Sequence, residues 1–450
     1  MTTDVPVNRR ALGFWMATAL VVGNTIGMGI FVLPASLAPF GFNAVIGWVV
    51  TLLGFLFIAA VLAGLARAFP QDDGVYSYTN RAFGEATAFL VLWGYWVATW
   101  VTNATIATGV VNYLAILVPG IAQHALIPPL VALGLVWFFV LINLRGARTV
   151  GRFQVVTTGL KLLPLLAVIV LAIWQLQTDP TAFTANVPET PISLAAILAA
   201  STTAIFAMLG VECATVPAGR VKDPQRTIPR ATMVGTALTA FIYIVVSTVP
   251  LLLIPQNELA NSPAPFSELF SRLLGPGSAE ILAVFVVISG LGALNGWTLV
   301  VGEVTENFAK HGSFPRGLAK VNSRQAPTRA LLLTAAVASI MLLTNYNQTM
   351  VGVFTFLSLV VTAANLPLYI ACAVGVLVLW RRGELQRAGV NNKSLLVYAV
   401  LATTFCLWAC AGMGLKPALW ALALIGVGVI VYAWAYFTRR RAGTLQSATS

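Results

Sequence analysis

Gly23-Asn24-Thr25-Ile26-Gly27-Met28-Gly29-Ile30-Phe31-Val32-Leu33-Pro34 is the stretch on which the fold turns. It lies inside an apolar run over 12–38. Three glycines within seven residues, followed by a proline, are costly in a regular helix. One reading is close helix packing of the small-xxx-small kind, since Gly23 and Gly27 are four apart. The other is an unwound segment whose freed amides and carbonyls line a cavity rather than face lipid. A second apolar run, over 193–218, repeats the theme with Gly210-Val211-Glu212-Cys213-Ala214-Thr215-Val216-Pro217-Ala218-Gly219.

Working outward, the rest of the chain has the same apolar character. Of its 450 residues, 58% are hydrophobic and 9% charged, against about 25% charged in an ordinary globular domain. That excludes a soluble enzyme and a disordered chain, because too little polar surface is available to cover soluble domains. A membrane-crossing helix needs about 20 apolar residues. Such stretches recur at 12–38, 43–67, 84–117, 125–144, 152–176, 193–218, 230–254, 279–308, 328–347, 350–380, 393–413 and 416–438. The expected architecture is therefore an all-α polytopic membrane protein with twelve transmembrane helices. Strict alternation of apolar and polar residues is missing, which argues against a β-barrel.

The net charge of +12 would suit a nucleic-acid partner, but the placement of the charges excludes one. Of the 26 Lys and Arg residues, 23 fall before the first span, after the last, or in even-numbered loops. Arg272 and Lys416 occupy odd-numbered loops, and Lys161 lies inside a span. Basic residues mark the cytoplasmic side, so both termini are expected there, on a multi-pass protein of the plasma or inner membrane. The interrupted spans are the first and the sixth. Gly/Pro-interrupted helices in matching positions of two halves point to a secondary-transporter site. They imply a five-plus-five inverted repeat over 12–176 and 193–380. An added pair of spans occupies 393–438, with tails at 1–11 and 439–450.

The glycine-rich first span resembles that of the amino acid–polyamine–organocation transporters. So do Gly210-Val211-Glu212 and the loop Val221-Lys222-Asp223-Pro224-Gln225-Arg226-Thr227-Ile228-Pro229-Arg230. Gly296-Trp297-Thr298-Leu299 and the pairing of Trp96 with Asn103 resemble the basic amino acid/polyamine antiporter branch. The resemblance implies a LeuT-type fold with broken helices one and six. It also implies sodium-independent exchange by alternating access, with homodimers occurring in the branch. A substrate site is expected around Thr25, Gly27, Met28, Gly29, Asn103, Phe206 and Trp297. Tyr95 matches a gate tyrosine, and Glu212 matches a gating, acid-sensing glutamate.

Physical chemistry supports several of these roles. An acid inside a span is a functional candidate by default. Burial favours a neutral carboxyl and a nearby cation favours the charged form, so proton and cationic substrate would compete for Glu212. A cation over an aromatic face gains about 0.5–2 kcal/mol, which suits Trp297 and Phe206. Lys161 is too deep in its span to snorkel cheaply. In other branches of the superfamily a lysine at the matching place stands in for sodium and couples to protons. Two departures stand out. Met28 replaces a small residue, often a serine that reaches the substrate carboxylate. Leu368 follows Pro367 where the antiporters carry a gate tyrosine, and Tyr369 points about 100° further round a helix.

Cys213, Cys372, Cys406 and Cys410 all fall in spans and read as buried structural thiols. Neither a metal cluster nor a cofactor motif is expected, and the absence of GxSxG, HExxH and Walker A patterns argues against an enzyme or ATP drive. Glu306 reads as interfacial. Glu303 is either buried or paired with a loop arginine. The expected activity is exchange of cationic amino acids and their decarboxylated amines. A proton-coupled amino acid or polyamine permease on the same fold is the alternative, and a channel is a third class.

Overall fold

A computed structural model describes residues 13–69, 74–145, 157, 159–211, 224–310, 314–345 and 347–447. Among these residues the chain is helical and contains no strand. The principal helices are α1 (Phe14–Thr25), α2 (Gly29–Leu37), α3 (Phe42–Ala68), α4 (Val75–Phe83), α5 (Glu85–Leu117), α6 (Ile127–Asn143), α7 (Leu162–Thr178) and α8 (Leu194–Met208). They continue with α9 (Pro224–Leu253), α10 (Pro265–Leu274), α11 (Ser278–Lys310), α12 (Thr328–Leu343), α13 (Met350–Arg381), α14 (Ser394–Gly412) and α15 (Leu415–Ser447). Seven helices among the described residues, α3, α5, α9, α11, α13, α14 and α15, are long and apolar enough to cross a membrane. This is a polytopic membrane protein. The remaining expected spans carry shorter apolar helices of 10–17 residues, and the first carries two.

The chain divides into two compact units. Unit one comprises 1–84, 167–260 and 366–413, and unit two comprises 85–166, 261–365 and 414–450. The chain passes between units inside α7, shortly after Pro164, and inside α13, just before Pro367.

In unit one, α3 packs against α8, α9 and α14, and α1 packs against α9. Lipid tails are as apolar as leucine, so close packing and interhelical hydrogen bonds must hold these helices together. Thr51 Oγ1 donates to Ser201 O at 2.9 Å, and Trp408 Nε1 donates to Ser201 Oγ at 2.8 Å. Asn43, fully buried, donates to Phe40 O and Pro191 O at 2.8 and 3.0 Å. Its Oδ1 accepts from Ser193 N at 2.9 Å. These bonds tie the entry of α8 to the corner between α2 and α3.

In unit two, α5 is the central helix, flanked by α6, α11, α12 and α15. Trp96 Nε1 donates to Thr305 Oγ1 at 2.8 Å. At the far end of α5, the Tyr113 hydroxyl accepts from Phe266 N at 3.4 Å, while Ser267 Oγ donates to Ala279 O near the start of α11. The two pairings make α5 and α11 antiparallel. Trp93 Nε1 donates to Leu424 O at 2.9 Å and fixes α15 to α5.

The cysteines differ in part from expectation. Cys372 and Cys406 are buried and outside any disulfide, but Cys410 is exposed on α14. Cys406 and Cys410, four residues apart, share one face of α14, and that face is covered at Cys406 but open at Cys410. Cys213 lies outside the described residues.

Candidate functional site

The first helix breaks where the glycines predict. α1 ends at Thr25, Ile26 turns out of helical geometry with ψ 101°, and α2 restarts after Met28. Three residues, Ile26, Gly27 and Met28, form the interruption. Gly27 is half-buried and Met28 is buried at 1% exposure. The thioether therefore fills space beside the break.

Two side chains from other helices hold this break. The Tyr243 hydroxyl, fully buried on α9, donates to Thr25 O at 3.0 Å and also reaches the Gly27 backbone. The carbonyl oxygen released by the end of α1 is thus satisfied by a side chain rather than by helix. The Tyr243 ring meets Trp48 edge to face at 5.7 Å. Phe206 of α8 lies against Gly29. A Cβ at Gly29 would stand 3.1 Å from Phe206 Cδ1 and 3.2 Å from Ala207 Cα. Only a glycine lets α2 and α8 approach this closely without one of them shifting.

The helix of the sixth expected span also ends at its glycine. α8 ends at Met208, Leu209 leaves the helix with ψ 146°, and Gly210 takes φ +105°. That φ lies in the left-handed region, which glycine enters without steric cost. Glu212 lies outside the described residues.

Thr25, Gly27, Met28, Gly29 and Phe206 thus form one neighbourhood in unit one. The Thr25 hydroxyl donates back to Val21 O at 2.8 Å, within the last turn of α1. Leu368 and Tyr369 are both buried, and Tyr369 packs edge to face on Phe55 at 5.7 Å.

Unit two holds Tyr95, Asn103, Lys161 and Trp297. Tyr95 and Trp297 are half-buried, Asn103 is buried, and Lys161 is 2% exposed. Asn103 stands seven residues beyond Trp96, about two helical turns. Thr298 stands seven before Thr305, so the antiparallel pairing puts Asn103 level with Thr298, beside Trp297. Asn103 Oδ1 and Trp100 Nε1, three residues apart, are buried polar atoms without a hydrogen-bond partner among the described residues. Such atoms cost about 1–3 kcal/mol each unless water or a ligand satisfies them.

Lys161 follows Thr157 by one turn, and its amide donates to Thr157 O at 3.1 Å. Thr157 packs directly on Gly292 of α11. Nearby on the same helix, Asn295 is fully buried and accepts from Asn143 Nδ2 at 3.4 Å. Of the two span-eight acids, Glu306 pairs with Lys310 at 2.5 Å and Glu303 is exposed. Among the described residues, no group of three His, Cys, Asp or Glu side chains could hold a metal ion.

Comparison with known proteins fits this architecture. A family model described as amino acid permease matches residues 12–438. The chain belongs to the amino acid permease family. Its relatives include the cadaverine/lysine antiporter of Escherichia coli, 30% identical over 414 residues and 90% of each chain. The arginine/ornithine antiporter of Pseudomonas aeruginosa is 29% identical, covering 92% of this permease and 89% of its own length. The arginine/agmatine antiporter of Chlamydia pneumoniae is 28% identical over 94% of this permease and 89% of its own. Members of the family are transporters, so the permease is not an enzyme.

Tyr243 and Asn143 are absent from the residues that motif and hydropathy single out. Tyr243 sits in Ala-Phe-Ile-Tyr-Ile-Val-Val, where nothing separates it from an interfacial tyrosine. Asn143 reads as the end of a span. Tyr243→Phe is expected to lower stability by about 1–2 kcal/mol, because Thr25 O loses its buried donor. The thermal midpoint of the purified protein measures this, and an unchanged midpoint would show that the bond carries no weight.

Proposed function

We propose that this permease is a sodium-independent, pH-sensitive exchanger of cationic amino acids and their decarboxylated amines. The observation that carries the reading is the break at Ile26–Met28, where two helix termini meet beside the Phe206 ring. Three antiporters with cationic substrates, each matching about nine-tenths of the chain, narrow the substrate class. The backbone around Gly27 and Gly29 would orient the substrate. Phe206, Trp297 and Asn103 would contact it, Tyr95 would gate, and Glu212 would bind or sense the cation.

Twelve spans in a LeuT-type five-plus-five inverted repeat belong to the same proposal. Each expected span carries a described helix. Spans one and two fall in the same unit as six and seven, three and four fall with eight and nine, and five and ten are both divided. Membership that recurs after five spans is what an inverted repeat would produce. The basic loops support cytoplasmic termini and a place in the plasma or inner membrane. A homodimer, as occurs among the resembled antiporters, is part of the same proposal.

Proteoliposomes test the exchange. Uptake of labelled arginine or lysine is expected to be strong into vesicles loaded with arginine, cadaverine, ornithine or agmatine, and weak into empty ones. The empty carrier turns over slowly, whereas a substrate that binds both states lets it cycle. Uptake into empty vesicles driven by a pH gradient would overturn exchange and establish the proton-coupled permease. That second reading draws on the burial of Lys161 and on Met28 at the break. It predicts that Lys161→Met abolishes gradient-driven uptake. Flux that never saturates would mark a channel.

A further inference from the structure

We propose that unit one carries a binding site for the headgroup of an anionic phospholipid, at the end of α13 and the start of α14. The segment between these helices exposes Arg381, Arg382, Arg387 and Lys393. Its one carboxylate, Glu384, is already paired with Arg81 at 3.5 Å. Two of the guanidinium groups are held in place by backbone carbonyls. Arg382 donates to Arg81 O at 3.1 Å, and Arg387 donates to Arg382 O at 3.0 Å. A guanidinium carries five donors in a planar fork matched to phosphate, so each keeps further donors for a ligand.

The cations adjoin an apolar seam. Leu395 packs on Gly64 of α3, where a Cβ would stand 2.6 Å from Leu395 Cδ1. This contact sets the start of α14 beside the end of α3, where Arg67 is exposed. Further along the seam, Phe57 stacks on Tyr398 with ring centres 6.2 Å apart. Leu53, Val397 and Leu401 are exposed around that stack. A soluble anion would use the cations and leave the seam uncovered. A neutral lipid would cover the seam and leave the cations unmatched. An anionic phospholipid satisfies both. Topology alone places basic residues on one side of a membrane, but it does not require them to be fixed by hydrogen bonds beside an exposed aromatic stack. Clustered basic residues next to a transmembrane helix end attract anionic lipid. The site is independent of which substrate is exchanged.

The test uses the full chain in a neutral detergent and follows its thermal midpoint. Phosphatidylglycerol is expected to raise the midpoint with concentration, as any ligand of the folded state does. Phosphatidylcholine and inorganic phosphate are expected to leave it unchanged, and molar salt is expected to suppress the phosphatidylglycerol effect. Arg382→Gln, Arg387→Gln and Lys393→Gln are each expected to weaken apparent lipid affinity about fivefold, and the triple variant about a hundredfold. Arg272→Gln, whose guanidinium is paired with Glu268 at 3.0 Å, is expected to behave as the unaltered protein. An equal shift with phosphatidylcholine, an equal shift with inorganic phosphate, or an undiminished shift in the triple variant would each overturn the proposal. The lipid and salt arms use the unaltered protein, so they decide the matter even for a variant that does not fold.

Discussion

Glu212→Gln is expected to lose on the order of a hundredfold or more in kcat/KM for arginine, lysine and cadaverine. Truncating one partner of a buried charge pair costs about 2–5 kcal/mol, much of it from leaving the other charge unpaired. Glu212 is the acid set deepest in a predicted span, because Glu303 and Glu306 lie near the end of theirs. Glutamine keeps the volume and one acceptor but cannot carry charge. The pH dependence has a definite sign. On the proposed role the carboxylate would hold the cation, so acidification that protonates Glu212 is expected to raise KM in the parent protein. In the glutamine variant KM is expected to stay flat between about pH 5 and pH 7.5, since no titrating carboxyl remains. Radiolabelled uptake by reconstituted protein at both pH values measures the two effects. Arginine uptake that persists unchanged in Glu212→Ala would remove the residue from the substrate site.

Gly292→Val is expected to be the most damaging of the packing substitutions. A Cβ at Gly292 would fall on the Oγ1 and Cβ atoms of Thr157, inside any permitted contact. Overpacking a closely packed interior costs about 1–3 kcal/mol, occasionally more. Here the obstruction acts on the segment that carries Lys161, one turn from Thr157. The expected result is a lower thermal midpoint together with lost transport, milder for Gly292→Ala than for valine. Thr157→Gly added to Gly292→Ala is expected to restore the midpoint in part, because it vacates the overlapped space. A double-mutant cycle measures the coupling, and additive effects would show that the contact is not what the valine disturbs.

The sequence alone determined the class of this protein. Hydrophobicity in runs of about 20 residues, with 9% charge, leaves only a helical membrane protein. The sequence also located the interruption at Gly27 and the helix end at Gly210, because helix cost and left-handed backbone are local properties of glycine. Family resemblance then drew attention to Phe206, Asn103 and Trp297.

Contacts made across long separations in sequence were decided by tertiary structure alone. Nothing local says that Tyr243 closes the end of α1, that Phe206 lies on Gly29, or that Asn143 bonds Asn295. In a soluble helix the apolar stripe shows which face turns inward. In a membrane helix every face is apolar, so that signal is lost, as in α3, whose exposed and buried faces are alike in composition. Partners are then chosen by close packing at small residues and by scattered hydrogen bonds, and these depend on where the other helices stand. The same reason separates Cys410 from Cys406: they share a helix face, and what covers that face at one position and not at the other lies elsewhere in the chain.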